Sequence, residues 1–305
     1  MLYIYLILGL IVLLFGGKYL VDGSTSLALK LGMSPGLVGL TIVAFGTSAP
    51  ELLVSISAAL KGSSDISIGN VIGSNISNIS LILGISALVY PIMIHRAVMK
   101  LDYVMMVLSS ALFFLMAFDG GISRLEGGIL VALLVAVNTY FFKKLSVDTK
   151  EDDVSEPKQS IWRDISLVLV GIGGLYFGAE LLVNNAVEIS RTYGVSERII
   201  GVTIIAIGTS LPELVTSIVA ALEKKTDLAI GNILGSNIFN VLCIVGFTGI
   251  VRPIVVSEEF INKDFLWMLG FTLLLFPLFL SRMRISRWEG ALLLVSYGVY
   301  VYFLL

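Results

Sequence analysis

Charge is scarce in this chain, and its scarcity limits the class of protein that the sequence can encode. Only 14% of the 305 residues are charged, whereas 57% are hydrophobic. A soluble domain of this size carries about a quarter charged residues, so a surface solvated by water on every side is not expected. Apolar runs of roughly 20 residues recur along the chain, and each can cross about 30 Å of hydrocarbon. The composition predicts a helical protein that crosses a membrane many times.

Cysteine and histidine are almost absent. Cys243 is the only cysteine and His95 the only histidine, which excludes an internal disulfide and any metal centre built from several of these side chains. A hydrolase within the membrane would need a serine activated by histidine, paired aspartates or a metal-bound water. The sequence offers none of these arrangements, so we expect neither an enzyme nor a resident cofactor.

The apolar segments number ten, and short polar connections separate most of them. Between the fifth and the sixth segment, residues 143–163 are polar and of mixed charge, and they are too few for a folded regulatory domain. We therefore predict an all-α membrane protein with five transmembrane helices in 1–142, a linker at 143–163 and five more helices in 164–305. The segments are predicted at about 2–22, 36–60, 66–90, 101–118, 123–142, 164–184, 198–222, 228–250, 263–281 and 287–305.

The two halves of the chain repeat each other. The stretch IVAFGTSAPEL at 42–52 recurs as IIAIGTSLPEL at 204–214, and IGNVIGSNISN at 68–78 recurs as IGNILGSNIFN at 230–240. The offset is 162 residues in both cases, and 26 of the 46 positions from 39 to 84 match their counterparts. Five spans per repeat is an odd number, so the second repeat is predicted to be inverted in the membrane. Inverted repeats place a transported substrate near the middle of the bilayer.

The distribution of basic residues predicts how the chain is oriented. About six Lys and Arg residues fall on the side of the two termini, and about fourteen fall on the side of the 143–163 linker. Basic residues are enriched on the cytoplasmic side of a membrane protein. We therefore predict a multi-pass protein of the cell membrane with extracellular termini and a cytoplasmic linker.

Glu51 and Glu213 lie deep inside the second and seventh predicted spans. An ionised carboxylate near the bilayer centre costs at least about 2.5–3.5 kcal/mol, which makes each residue a functional candidate. No basic residue lies near either Glu along its span. A structural ion pair within the segment is therefore not expected.

The residue before each Glu is a proline, Pro50 or Pro212. Proline has no N–H, and its ring clashes with the carbonyl four residues back. The GTSxPE stretch is therefore predicted to be a broken helix, and unwound backbone at membrane depth must face protein or a wet cavity. The carbonyls predicted to be free are those near Ala44, Gly46, Thr47, Ala206, Gly208 and Thr209.

Polar side chains follow in the third and eighth spans. Asn70, Ser74 and Asn78 are spaced by four residues, which keeps them near one helix face. Such side chains either bind ions or hold neighbouring helices together in the membrane. With the two carboxylates they would form an all-oxygen site, which suits hard cations such as Ca²⁺ and Na⁺ rather than zinc or copper. The second repeat supplies the equivalent residues Asn232, Ser236 and Asn240.

These doubled motifs resemble the alpha-repeats of the cation/calcium antiporter superfamily, and most closely its prokaryotic sodium/calcium exchangers. The resemblance implies ten transmembrane helices, of which the second, third, seventh and eighth form the ion site. It also implies that Glu51, Glu213 and the carbonyls of Thr47 and Thr209 bind calcium. Contributions to flanking sodium sites are implied for Ala44, Ser48, Ser74, Ala206, Ser210 and Ser236.

Two asparagines stand at the centre of the site that the resemblance implies. Asn78 matches the family motif. Asn240 departs from it, because the archaeal exchangers resembled by this stretch carry Asp there. The third acidic group of that pattern is therefore absent, and potassium co-transport is not expected.

The sequence thus predicts a secondary active antiporter that exchanges Na⁺ for Ca²⁺ by alternating access. The resemblance implies three Na⁺ per Ca²⁺, which would make exchange electrogenic. The expected partners are these ions and the lipid bilayer, with no nucleic acid and no obligatory protein partner. A proton/calcium exchanger that uses the same two glutamates is the main alternative, since it needs titratable groups but no sodium sites. A passive channel is a further alternative, and flux that ignored any counter-gradient would favour it.

Overall fold

The structure is a computed structural model, and it describes residues 1–145, 160–194 and 206–304. Within these residues, seven helices are long and apolar enough to cross a membrane, or up to eight if one bent pair counts as a single span. The all-helical, multi-pass prediction is therefore confirmed for the described part of the chain. Part of the predicted segment 198–222 lies outside the described residues, so the count of ten helices stays a prediction.

The helices form two series that follow the same order along the chain. The first series contains α1 (Leu2–Lys30), α2 (Pro35–Val38), α3 (Ala44–Thr47), α4 (Ala49–Leu60), α5 (Ser64–Ser77), α6 (Leu83–Val89), α7 (Tyr103–Ala117) and α8 (Arg124–Leu145). The second contains α9 (Ile161–Thr192), α10 (Ala206–Gly208), α11 (Leu211–Leu222), α12 (Thr226–Phe239), α13 (Gly246–Val251), α14 (Phe265–Arg282) and α15 (Arg287–Leu304). Wider π-helical turns lie at Gly39–Val43, Asn78–Ile82, Val98–Asp102, Asn240–Val245 and Phe260–Asp264.

Helices extend into both ends of the segment 143–163 that is predicted to be a linker. Helix α8 continues to Leu145 and α9 begins at Ile161, so the helices include three residues at each end of the 143–163 segment. At the start of α9, the side chain of Ser160 accepts a hydrogen bond from the N–H of Trp162, and this cap stabilises the first turn. Residues 146–159 lie outside the described part.

Two short antiparallel strand pairs join connections from the two halves. Strand β1 (Ile92–Met93) pairs with β4 (Arg284–Ile285), with Ile92 opposite Ile285. Strand β2 (Gly121–Ile122) pairs with β3 (Ile254–Val255). Each pair therefore ties one half of the bundle to the other.

Helix α12 lies at the centre of the bundle. All its residues from Leu228 to Phe239 are buried, polar ones included. Helices α1 and α9 pack against each other through small residues, since a Cβ added at Gly171 would lie 2.5 Å from the backbone nitrogen of Leu20. Such close backbone contact is typical of helix pairs in membranes. Helices α3 and α11 pack against α12, and α4 packs against α5, which brings the two glutamates into the interior.

Candidate cation-binding site

Both glutamates follow a break in their helix. Glu51 lies in the first turn of α4 and Glu213 in the first turn of α11, and a proline lies among the first two residues of each helix. The helical pair 35–47 and 49–60 bends by 44° at Ser48. Each carboxylate is only 1% exposed. The predicted break, and the burial of both carboxylates beside it, are therefore found in the structure.

Each of the two carboxylates accepts a hydrogen bond from a serine of the opposite repeat. The hydroxyl of Ser48 donates to Oε1 of Glu213 at 2.9 Å, and the hydroxyl of Ser210 donates to Oε1 of Glu51 at 3.3 Å. The second oxygen, Oε2, is buried in both residues and accepts no hydrogen bond from any described residue. Ser210 also lies 3.3 Å from the hydroxyl of Ser74. Both halves therefore contribute to one polar cluster.

Each threonine of the broken segments likewise forms a hydrogen bond with an asparagine of the opposite repeat. The hydroxyl of Thr47 donates to Oδ1 of Asn232 at 3.3 Å, and that of Thr209 donates to Oδ1 of Asn70 at 3.5 Å. Asn70 in turn donates to the carbonyl of Glu51 at 3.1 Å. These amides hold the broken backbone in place, so they position the carboxylates.

Several asparagine and serine oxygens of the two GNxxGSNxxN motifs accept no hydrogen bond. Asn240 donates to Oδ1 of Asn75 at 3.0 Å, which joins the two repeats directly. Because buried polar atoms are normally hydrogen-bonded, a bound cation would explain the unpaired oxygens of these motifs. Within the two GNxxGSNxxN motifs, the buried oxygens that accept no hydrogen bond from described residues are those of Asn78, Ser236, Asn237 and Asn240.

The charge of the cluster is not balanced by basic side chains. Ion pairs in the described part of the chain lie elsewhere, for example between Lys30 and Asp164 and between Lys225 and Asp22. Two buried carboxylates without a counter-charge are unfavourable. An all-oxygen set of carboxylate, hydroxyl and amide groups is the kind of site that binds Ca²⁺ or Na⁺.

Most of the predicted residues come together, with two qualifications. The carbonyl of Ala44 was predicted to be free, but it accepts hydrogen bonds from the N–H of Ser48 at 3.0 Å and from the hydroxyl of Thr47 at 3.3 Å. The prediction that this carbonyl is free was wrong, because the helix continues through Thr47 and breaks only at Ser48. The contribution of Ala44 to a sodium site stays a prediction. Ala206 begins α10, and its side-chain surroundings lie outside the described part.

Sequence reasoning missed three residues that complete the cluster. Asn75 binds Asn240, and the hydroxyls of Ser55 and Ser217 accept hydrogen bonds from Asn70 and Asn232 at 2.9 and 3.0 Å. The signal was present, since each of these residues recurs unchanged 162 positions away from its counterpart.

Comparison with known proteins places this geometry in a family. The family model described as "Sodium/calcium exchanger protein" matches residues 1–143 and 164–305. CaxA of Alkalimonas amylolytica is 38% identical over 99% of this chain and 98% of its own length. The sodium/calcium exchanger MaX1 of Methanosarcina acetivorans is 33% identical over 98% of this chain and 97% of its own length.

A solved structure gives the same result in three dimensions. A structure of the sodium-calcium exchanger NCX_Mj, soaked with 10 mM Na⁺ and zero Ca²⁺, superimposes with a TM-score of 0.88 at 32% identity. The match covers 99% of both chains. The likeness therefore extends over the whole helical bundle rather than over the doubled motifs alone.

Proposed function

Because the chain belongs to the sodium/calcium exchanger protein family, we propose that it is a secondary active antiporter that exchanges Na⁺ for Ca²⁺ across the cell membrane. The observation that carries this proposal is the pair Glu51 and Glu213. Each is 1% exposed, and each has a carboxylate oxygen without a donor among the described residues. A cation that binds between the two repeats would supply the missing charge.

Charge counting explains why the two ions compete. The two carboxylates carry a charge of −2 together, and one Ca²⁺ neutralises them. Sodium ions would use the same carboxylates and also the neutral hydroxyl and amide oxygens around them. With three Na⁺ the site would carry about +1, so exchange would be electrogenic and would respond to the membrane potential by about 2.3 kcal/mol per charge per 100 mV.

The proposed ligands are those that the family resemblance implies. Calcium is bound by Glu51, Glu213 and the carbonyls of Thr47 and Thr209. Sodium is bound at flanking positions, and the unpaired oxygens at the centre support a polar middle position without a third acid. The proposed contributors to these positions are Ala44, Ser48, Ser74, Asn78, Ala206, Ser210, Ser236 and Asn240.

The proposed architecture is ten transmembrane helices in two inverted repeats. The repeats occupy 1–142 and 164–305, and the segment 143–163 joins them on the cytoplasmic side. Equivalent residues of the two halves bind partners in the opposite half, and this symmetry supports a twofold relation between the halves. Alternating access would then expose the shared site first to one face and then to the other. We infer no enzymatic activity, no cofactor and no obligatory protein partner.

The proposal is tested with purified protein reconstituted into lipid vesicles. An outward Na⁺ gradient is expected to drive Ca²⁺ uptake, and a positive potential on the sodium-releasing side is expected to slow it. Glu51→Gln and Glu213→Gln should each reduce uptake at least about 100-fold, because a neutral amide loses one of the two charges that balance a desolvated Ca²⁺. Glu188→Gln, at an exposed carboxylate of α9, is the matched control and should keep normal uptake.

The same vesicles distinguish the alternatives. Uptake driven by a pH gradient and indifferent to Na⁺ would identify a proton/calcium exchanger. Flux that ignores both gradients would identify a channel. If either glutamine variant kept Na⁺-driven uptake, the assignment of the site would be wrong.

A further inference from the structure

Two neighbouring cavities lie at the end of the bundle where α15 terminates. The inner cavity, named the passage here, has a volume of about 350 Å³ and reaches Asn70, Ser74 and Thr209 of the candidate site. The outer cavity, the vestibule, has a volume of about 980 Å³. Because they share wall residues, the two cavities together lead from this end of the bundle to the site. The two cavities share the wall residues Phe260, Asp264, Tyr300 and Leu304.

Asp264 is the only charged side chain among the described residues that line the passage. It directly precedes α14, but its side chain makes no capping hydrogen bond to that helix. No hydrogen bond or ion pair joins it to another described residue. A carboxylate in a narrow, largely apolar passage acts on passing cations over a longer range than one in bulk water.

The equivalent residue of the first repeat is more deeply buried. Asp102 stands 162 positions before Asp264. It is only 7% exposed, and no described residue forms a hydrogen bond or ion pair with it. A buried carboxylate without a partner is unfavourable. Its presence is explained if a passage opens beside it at another stage of the exchange cycle.

We propose that Asp264 is an entry carboxylate that draws cations into the passage from the membrane face where α15 ends. It raises the local concentration of Ca²⁺ and Na⁺ beside Asn70, Ser74 and Thr209. Asp102 has the same task at the opposite face when the site is presented there. This inference rests on the proposed cation transport and goes beyond it, because it assigns a sided kinetic role to residues outside the ion-binding cluster.

The main test measures initial Ca²⁺ flux while Ca²⁺ is varied on one face at a time. Vesicles are selected for a single protein orientation through a C-terminal affinity tag. In Asp264→Asn, the half-saturating Ca²⁺ concentration at the α15 face should rise about threefold to tenfold at low ionic strength. The maximal rate and the half-saturating concentration at the opposite face should stay within about twofold of wild type. The difference should shrink in about 0.5 M salt, where exposed charges are screened within a few ångströms.

Two variants serve as controls, and a third tests the opposite face. Asp264→Glu keeps the charge and should restore the wild-type concentration dependence. Glu259 lines only the vestibule and is paired with Lys263 at 2.9 Å, so Glu259→Gln should change the half-saturating concentration by less than about twofold. Asp102→Asn should weaken Ca²⁺ entry only from the face opposite to α15.

A second measurement does not depend on transport. Val301 lines the passage, and the single native cysteine can be removed by Cys243→Ala. In that background, Val301→Cys should react faster with a cationic methanethiosulfonate than with an anionic one. Adding Asp264→Asn should reduce this preference at least about threefold, because the carboxylate that attracts the cationic reagent is absent.

The outcomes are distinct. An equal change at both faces, or a change that high salt leaves intact, would mean that Asp264 has a structural role, and the inference would be overturned. An unchanged reagent preference would overturn it as well. If wild type showed no Ca²⁺ flux with either a Na⁺ or a H⁺ gradient, the proposed function would be contradicted instead. The thiol measurement would still decide the role of Asp264.

Discussion

Helices α5 and α12 carry almost the same motif in different surroundings. Both are 14 residues long and lie 162 positions apart. Helix α12 is buried from Leu228 to Phe239, whereas α5 has Ile66 at 58% exposure and Asn70 only partly buried. The passage runs along α5. Equivalent sequences are therefore in contact with protein in one repeat and with a cavity in the other.

This difference shows how one sequence pattern can be compatible with both a packed and an open conformation. If the repeats alternate, each motif must be compatible both with tight packing and with an open passage. Small residues allow close packing, and amides can bind either protein or water. The contrast between α5 and α12 is thus a property of one conformation of the molecule, and variants matched between the two helices can test it.

The largest effect is expected at the glycines of the two motifs. A Cβ at Gly235 would collide with the backbone carbonyl of Leu40 and would lie 2.7 Å from the Cα of the same residue. At Gly73, no atom of the described residues lies within 4 Å of such a Cβ. Gly235→Ala should cost about 1–3 kcal/mol through overpacking, which corresponds to a melting temperature lower by roughly 2–5 °C for a chain of this length.

Gly73→Ala is the matched control, and its melting temperature should stay within about 1 °C of wild type. Thermal unfolding in detergent, followed by tryptophan fluorescence, measures both. Equal shifts in the two variants would mean that α5 and α12 are packed alike, and the comparison would fail.

The next largest effect is expected on the rate at which a water-soluble reagent labels the two helices. Ile66 is 58% exposed and lines the passage, whereas Leu228 is fully buried. In a Cys243→Ala background, Ile66→Cys should react with a water-soluble maleimide at least about tenfold faster than Leu228→Cys, because reaction requires an accessible thiolate. Mass spectrometry of the labelled protein measures the two rates. Similar rates would show that the passage is not the prevailing opening in solution.

The smallest effect is expected at the paired asparagines. Asn232 is fully buried, donates to Ser217 at 3.0 Å and accepts from Thr47 at 3.3 Å. Asn70 makes the equivalent bond to Ser55 at 2.9 Å, but it borders the passage. Alanine at 232 leaves buried partners unpaired, which costs about 1–3 kcal/mol. Alanine at 70 would leave space that is continuous with the passage, so water could enter it and bind the former partners of Asn70.

Asn232→Ala should therefore lower the melting temperature by about 1–2 °C more than Asn70→Ala does, since about 1 kcal/mol separates them. Paired melts under one detergent condition provide the measurement. A larger loss in Asn70→Ala would reverse the assignment of the buried and the hydrated helix.

Part of this molecule was predictable because its signals are local. The apolar runs give the spans, since each must cover the hydrocarbon by itself. Pro50 and Pro212 give the breaks, because the missing N–H and the ring clash act within one helical turn. The burial of Glu51 and Glu213 follows from their depth in these spans.

Other features depend on partners far along the chain. The pairing of Ser48 with Glu213 and of Ser210 with Glu51 needs the two broken helices to lie side by side. Nothing in either motif specifies that its serine binds the carboxylate of the other repeat rather than its own. The role of Asp264 was missed for the same reason, since only the packing of α5 and α15 around it creates the passage.

By itself, the sequence determined a duplicated, membrane-spanning helical chain with two broken spans and two intramembrane acids, because hydrophobicity and proline act locally. The tertiary structure alone decided which oxygens meet, and which of two nearly identical helices is packed and which is hydrated. Two copies of one motif cannot encode that choice, because it depends on the neighbours that each copy contacts in a given conformation.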